Sequence, residues 1–389
     1  AADREPEGAV VRARLDVWAE AWQTLVHTIP ATDGVLALEN ERLDLQAVTA
    51  ALERWTEAGG HLQAELKRLG NRERRDDEDA PWMRLADRVS QAFQRMELIF
   101  TQPEGWISTL QREGPSIVIF KASPIDVRGL FDRHLRQGFE TVVLTSATLR
   151  DGKGFRGLKL RLGLTDDELQ RAEHVESPFD FPNQGLLFVP PDLPERRANR
   201  DGTSDRAWVE AALASMERLL RASGGRALLL FTSRRMLGDF KTRLQTALPD
   251  LTFFVQGERW SRHALLGHFK NTPRAVLLGL ASFWQGVDLP GDVLSLVVVT
   301  ALPFAPPDDP VLQARIQAAD RIRPGLGFQG VQLPQMILKL KQGIGRLIRT
   351  RRDRGVVCIL DPRLLLPHED PKGKAYAAQV RAALPPFPI

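Results

Sequence analysis

Near the end of the chain, Gln342, Arg346 and Arg349 stand at a spacing suited to phosphate chemistry, within QMILKLKQGIGRLIRT (335–350). At about 100° per residue, Gln335, Lys339, Gln342, Arg346 and Arg349 fall on one narrow helical face. Ile337, Leu340, Ile344, Leu347 and Ile348 fall on the opposite face, as in a helix packed on a core. The polar stripe holds cations and amides and no acid, whereas a solvated face normally mixes signs. Two guanidinium forks one turn apart can neutralise charge that develops on a phosphoryl group during transfer. Gly343 and Gly345 each cost roughly 1 kcal/mol against alanine inside a helix, so something is expected to approach closely there. Taken alone, the stretch also fits a basic surface helix docked on a sheet.

Four other polar clusters each follow an apolar run. Thr145, Ser146 and Thr148 in TVVLTSATL (141–149) put short hydroxyls at a strand end, suited to relaying a hydrogen-bond change. Thr232 and Ser233 close ALLLFTS (227–233), and Ser233 can cap the helix begun by RRMLGDFKTRL. The amides and dipole of such a helix start can hold a phosphate. Gln256 and Gly257 follow FFV, where a turn could offer further backbone amides. Ser282, Gly286 and Asp288 lie in SFWQGVDLPGD (282–292). Gly286 permits unusual backbone angles, and Asp288 offers a carboxylate to a nucleotide or an arginine. Trp284 is expected to pack beneath this loop rather than stack on a base. LPFAPPDDP (302–310) reads as a rigid exit whose Asp308 and Asp309 open the next helix.

The elements that must carry these residues alternate. Strands are expected at 186–189, 226–231, 252–256, 274–279, 294–300 and 355–360, with helices at about 204–222, 234–248, 259–269, 308–320 and 334–349. That alternation predicts a doubly wound parallel sheet, with ligands gathered at the carboxyl ends of its strands. Upstream, residues 1–105 read as helices: Val10–Ile29, then Leu43–Leu69 bent or broken at Gly59-Gly60, a charged connection at Asn71–Asp79, and Pro81–Phe100. Trp18, Trp22, Trp55 and Trp82 sit at helical spacing and belong in a core, with a single-strand stacking platform as the alternative. Between the two regions, SIVIFK (116–121), a helix from near Pro124 and a strand at 141–144 suggest a parallel layer, with too few strands to stand alone.

Composition adds bounds. At 389 residues the chain can hold two or three domains. Lys+Arg 53 against Asp+Glu 49 leaves a net charge of only +4, so nucleic acid would have to meet local patches. The lone Cys358, inside GVVCIL, excludes a disulfide framework and any all-cysteine cluster within the chain, and reads as a buried strand residue. No apolar run reaches membrane-span length and no signal peptide opens the chain, so a soluble, cytoplasmic protein is expected. Residue 1 is Ala rather than Met, which suggests an excised or partial chain.

The pattern Gln-x-x-Gly-Arg-x-x-Arg at 342–349 resembles the sixth motif of superfamily-two helicases. TVVLTSATL, ALLLFTS, SFWQGVDLPGD and LPFAPPDDP occur in the order found in the DinG/XPD (Rad3-like) DNA helicases, and the last two are more similar to bacterial DinG than to XPD. The resemblance covers roughly residues 106–365. It implies an α/β fold: a RecA-like second motor domain at 184–389, the closing part of the first motor domain at 106–183, and a helical Arch-like region at 1–105, matched by position and helicity only. It implies ATP-dependent DNA unwinding, 5′ to 3′, in DNA repair or replication conflicts, by a monomer whose partners are ATP and single-stranded or forked DNA. Arg346 and Arg349 would be arginine fingers, and Gln342 would sense nucleotide or orient water. Gly286, Asp288 and Gly345 would lie at ATP. Thr145, Ser146, Thr148, Thr232, Ser233, Gln256 and Ser282 would couple to or contact DNA.

The chain has no G-x-x-x-x-G-K-[ST] loop, since DGKGFRG (151–157) has the wrong order, and no Asp-Glu-Ala-His box. In the family both lie upstream of the third motif. The main ligands of ATP with Mg2+, and any iron–sulfur cluster, are therefore expected outside this chain, which offers no metal site of its own. A catalytically silent nucleic-acid-binding or scaffold module that kept the second motor domain is the alternative reading of the same motifs.

Overall fold

The computed structural model describes residues 4–31, 34–73, 81–146, 149, 154–169, 171–195, 205–284, 289, 291–365 and 376–389. Its elements begin with α1 (Arg4–Thr28), β1 (Leu36–Ala37), α2 (Leu45–Glu73), α3 (Pro81–Thr101), β2 (Trp106–Glu113), β3 (Ile117–Pro124) and α4 (Arg128–Phe131). Next come α5 (Arg156–Leu162), α6 (Phe181–Gln184), β4 (Gly185–Phe188), α7 (Arg206–Ser223), β5 (Ala227–Leu230), α8 (Arg234–Ala247), β6 (Thr252–Val255) and α9 (Arg262–Asn271). The last are β7 (Ala275–Gly279), β8 (Leu296–Val299), α10 (Pro310–Ile322), α11 (Leu333–Ile344), β9 (Gly355–Ile359) and α12 (Tyr376–Ala383). Packing divides the chain into two compact units, residues 1–140 with 306–327 and residues 141–305 with 328–389. These units cut across the expected boundaries at 105 and 183. No helix among the described residues is long and apolar enough to cross a membrane.

The first unit packs α1, α2 and α3 on a small antiparallel sheet of order β1-β2-β3. Its core holds Leu25, Val26, Ile29, Trp55, Ile99 and Leu110. Trp18 stacks on Trp55 at 5.3 Å between ring centroids, and Phe93 meets Trp55 edge-on at 5.5 Å. These rings are core rather than a stacking platform. The break expected at Gly59-Gly60 does not occur, and α2 runs straight through both glycines. A Cβ at Gly59 would lie 2.6 Å from Trp18 Nε1 and 2.8 Å from Phe93 Cζ, so this glycine lets two neighbouring helices close on α2. The helix α10 belongs to the same unit, where Arg315 Nη2 donates to the Pro124 carbonyl at 3.1 Å.

The parallel layer expected over 116–144 is not formed. SIVIFK is instead part of the second arm of an antiparallel hairpin, β2 paired with β3 from Trp106↔Pro124 to Glu113↔Ile117. Residues 141–146 are irregular, and Val143 is 81 % exposed. A β-prone apolar run needs a neighbour to take its backbone N–H and C=O groups, and none of the described strands pairs with this one.

The second unit is the doubly wound sheet that the alternation predicts. All six strands are parallel, in the order β4-β9-β8-β5-β7-β6. Central strands such as LVVV in β8 read as unbroken apolar runs because both faces are covered. Alternate residues prove it. Leu228, Leu230, Val297 and Val299 join a core with Trp284, Met336, Leu340 and Ile344. Leu229, Val298 and Cys358 join the core on the other face with Trp208, Met216, Phe240 and Leu244. The predicted helices and strands of this region recur within a few residues, apart from the last helix.

Candidate functional site

The carboxyl ends of β5, β6 and β7 put three of the expected clusters side by side. After β5, Phe231 is buried, Thr232 half-buried and Ser233 exposed. Ser233 is the N-cap of α8, its hydroxyl accepting from the Met236 N–H at 3.2 Å. After β6, Gln256 uses its side chain rather than its backbone. Its Oε1 accepts the Leu280 N–H at 2.7 Å, which fixes the amide so that Nε2 donates to Ser282 Oγ at 2.8 Å. Gly257 follows with φ +86°, the turn that a glycine permits.

Two residues beyond Ser282, Trp284 is wholly buried beneath the strand ends, and its indole N–H donates to the Phe231 carbonyl at 3.4 Å. The indole explains Gly343. A Cβ there would come within 2.7 Å of the Trp284 ring and 2.9 Å of Leu230, so only glycine lets α11 lie this close. Lys339, one turn earlier, sits over the same ring at 5.6 Å, and burial pushes its pKa down.

The helix expected over 334–349 stops at Ile344, with Gly345 as its C-cap. Arg346 and Arg349 therefore lie in a turn that follows the helix, not on its face. The Arg346 N–H bonds the Gly343 carbonyl at 3.3 Å and the Leu347 N–H bonds the Ile344 carbonyl at 3.0 Å, a tightened last turn. Further on, Asp353 takes over the backbone. Its Oδ2 accepts the N–H groups of Arg349 and Thr350, each at 2.8 Å, and its Oδ1 accepts the Thr350 hydroxyl at 2.6 Å. Two glycines weaken the helix and a carboxylate captures the next amides, which is why the helical period ends early. Leu347 and Ile348 still reach the core. The Arg346 side chain crosses to the loop after β7, where Nη2 donates to the Trp284 carbonyl at 3.2 Å.

Burial works against the charge on Asp353, which is 5 % exposed. Hydrogen bonds from the Thr350 hydroxyl and from the N–H groups of Arg349, Thr350 and Gly291 outweigh it and hold the carboxyl below the ordinary carboxylate value. Gln184, also buried, donates through Nε2 to the carbonyls of Thr350 and Asp353, both at 2.9 Å, and accepts the Asp180 N–H at 2.9 Å. A second buried acid, Asp361, follows β9. It pairs with Arg363 through contacts of 2.8 and 2.6 Å and accepts the Leu302 N–H at 3.1 Å.

Thr232, Ser233, Gln256 and Ser282 thus lie at the carboxyl ends of β5, β6 and β7, Arg346 reaches the Trp284 carbonyl beside them, and Arg349 is held by Asp353 just before β9. Thr145 and Ser146 lie exposed on the irregular segment 141–146. Thr148, Gly286 and Asp288 lie outside the described residues. Asp353, Gln184 and Asp361 escaped the sequence reading. Thr-x-x-Asp right after a polar-faced helix is a capping signal that could have found Asp353. Among the described residues no group of three or more His, Cys, Asp or Glu is arranged to hold a metal ion. What these residues offer is cations, hydroxyls and amide donors, groups matched to phosphate oxygens.

Residues 216–382 match the helicase C-terminal domain family. The chain is 38 % identical over 267 residues to the ATP-dependent DNA helicase YoaA of Escherichia coli (strain K12), covering 68 % of this chain and 39 % of that protein. It is 35 % identical over 282 residues to the ATP-dependent helicase DinG of Mycobacterium tuberculosis (strain ATCC 25177 / H37Ra), covering 72 % of this chain and 40 % of that protein. A Bacillus subtilis (strain 168) relative, 32 % identical over 262 residues and 28 % covered, is named 3′-5′ exonuclease DinG. Among solved structures, an XPD helicase superposes with a TM-score of 0.56 at 14 % identity, covering 97 % of this chain and 60 % of that one. The chain spans about two fifths of the length of the YoaA and DinG helicases it matches.

Proposed function

Since the chain belongs to the DinG/XPD branch of superfamily-two helicases, we propose that it supplies the second motor lobe of an ATP-dependent DNA helicase. The observation that carries this reading is the bond from Arg346 to the Trp284 carbonyl, which ties the arginine turn to the loop that follows Ser282. A γ-phosphate offers the same guanidinium fork an anionic acceptor of matching geometry. Arg346 and Arg349 would then neutralise charge on the transferring phosphoryl group, with Gln342 at the nucleotide or its attacking water. Thr232, Ser233 and Ser282 would meet the DNA backbone, the amides at the start of α8 adding a dipole of the right sign. Movement 5′ to 3′ on single-stranded DNA, and work in repair or replication conflicts, belong to the same reading and rest on the resemblance. The phosphate loop and Mg2+ ligands would come from outside these 389 residues.

The test is Arg346→Ala in the natural full-length protein. Loss of an arginine finger lowers turnover by on the order of 10³, so DNA-stimulated ATP hydrolysis should fall to near background while binding of a fluorescent single-stranded oligonucleotide stays within about twofold of wild type. Wild-type turnover in the variant removes the role of Arg346. A wild-type protein that binds DNA without hydrolysing ATP favours the silent module.

A further inference from the structure

The arginine turn is gripped by a bracket that begins at the edge of the parallel sheet. Gln184 closes α6, is buried, and has both amide protons in use. Its Nε2 donates to the Thr350 and Asp353 carbonyls, each at 2.9 Å, while Oε1 takes the Asp180 N–H. A second tie runs the other way, from Arg354 Nη1 to the Asn183 carbonyl. Residues 350, 353 and 354 are thus all bonded to α6, directly after Arg349. A single helical turn of four residues is not stable by itself, so what covers α6 fixes where Gln184 is held. That cover is the segment after α12. The Phe387 ring lies against the bare backbone of Gly185, where a Cβ would collide with it, and meets Phe181 edge-on at 5.5 Å. Next to it the Pro388 carbonyl accepts the Leu187 N–H at 2.8 Å, on β4, the edge strand. Phe387 shares its core with Val380 and Leu384, so residues 384–389 form a strap anchored at one end by α12.

We propose that this strap sets the arginine turn: Phe387 seats α6, and Gln184 is a positioning residue that passes the seating on to Arg349. The inference rests on the motor reading above. Gln184 holds the carbonyl of Thr350, the residue next to Arg349, and that of Asp353, whose carboxylate accepts the Arg349 N–H. Without the bracket, the backbone that carries the guanidinium is free to shift. An arginine finger acts by placement, so a shift weakens the transition state more than the binding of ATP.

The experiment measures ATP hydrolysis with saturating single-stranded oligonucleotide in the natural full-length protein, for wild type, Gln184→Met and Phe387→Ala, with thermal melts and oligonucleotide binding alongside. Met216→Ala, in the core on the other face of the sheet, controls for general loss of stability. Gln184→Met keeps the length of the side chain and removes its amide bonds. Its kcat should fall roughly ten- to a hundredfold, the loss that a misplacement of about 1 Å brings, while the KM for ATP and the oligonucleotide affinity stay within about twofold. Phe387→Ala should lower kcat in the same direction by a smaller factor. Met216→Ala should melt earlier and keep its kcat below its melting temperature. If Gln184→Met fails to fold, Phe387→Ala decides alone. Wild-type kcat in either strap variant that folds, or an equal fall of kcat in Met216→Ala, overturns the positioning role and leaves the motor reading standing. Absence of ATP turnover in the wild type overturns the motor reading, and this inference with it.

Discussion

Gly343 shows how closely one residue can be constrained by a neighbour far away in sequence. Its missing side chain is where the Trp284 ring and Leu230 meet α11. Adding one methyl group would overpack a dense site, and such insertions typically cost about 1–3 kcal/mol. Gly343→Ala should therefore lower the midpoint of denaturant unfolding with little change in slope, and an unchanged midpoint would show that α11 can slide to make room. The close approach at Gly343 and the packing of Trp284 were both legible in the sequence, since a glycine inside a helix and an apolar ring among polar neighbours are visible anomalies. Asp353 was legible only as a local cap, from its Thr-x-x-Asp spacing. In TRRDRG it looks like one more charge on a solvated turn, and nothing local announces that its partners include Gly291. Cys358 was read as a buried strand residue, and burial pushes its thiol up to about 12, which leaves it unreactive in the folded protein.

At the scale of elements, the strands of the parallel sheet were easy to anticipate and their terminations were not. Runs such as ALLL and LVVV declare strands covered on both faces. The early end of α11 was hidden because Leu347 and Ile348 keep the helical rhythm while lying in a turn. Similarly, residues 116–121 show β propensity without showing that their partner is the preceding strand, running antiparallel. Asp361 joins the ends of β8 and β9 through the Leu302 N–H and Arg363. Burial opposes its charge, but the Arg363 fork beside it, with the N–H groups of Leu302 and Arg363, keeps its carboxyl below the ordinary value of 3.8. A lowered folded-state pKa means that its contribution is complete above that ordinary value and is lost as pH falls below it. Asp361→Asn strands Arg363 without its counter-charge and should cost roughly 3–5 kcal/mol at neutral pH. The gap between wild type and variant should narrow on acidification below about pH 4, measured by urea unfolding across pH. A gap that stayed constant would mean that the pair adds nothing through its charge.

For the whole molecule, periodicity gave no hint that residues 306–327, embedded between the fifth and sixth motifs, pack with residues 1–140. That grouping depends on contacts such as Arg315 with the Pro124 carbonyl, across 191 residues, which no window of sequence can display. The lack of a phosphate loop is legible at once, and it carries a prediction at this scale. The 389-residue chain expressed by itself should hydrolyse ATP at close to background with or without DNA, because its arginines would meet a nucleotide that nothing cradles. Robust DNA-stimulated turnover by that polypeptide would contradict it.

One further consequence concerns the stretch Val142–Leu144. All three side chains face water, and the backbone around them is irregular and borders no described strand. Short, uncharged, β-prone and without proline, it has the makings of an adhesive strip. In a concentrated sample of this polypeptide, two such strips could zip together edge to edge. Clumping would then begin at these three residues, long before the well-filled parallel sheet loosened.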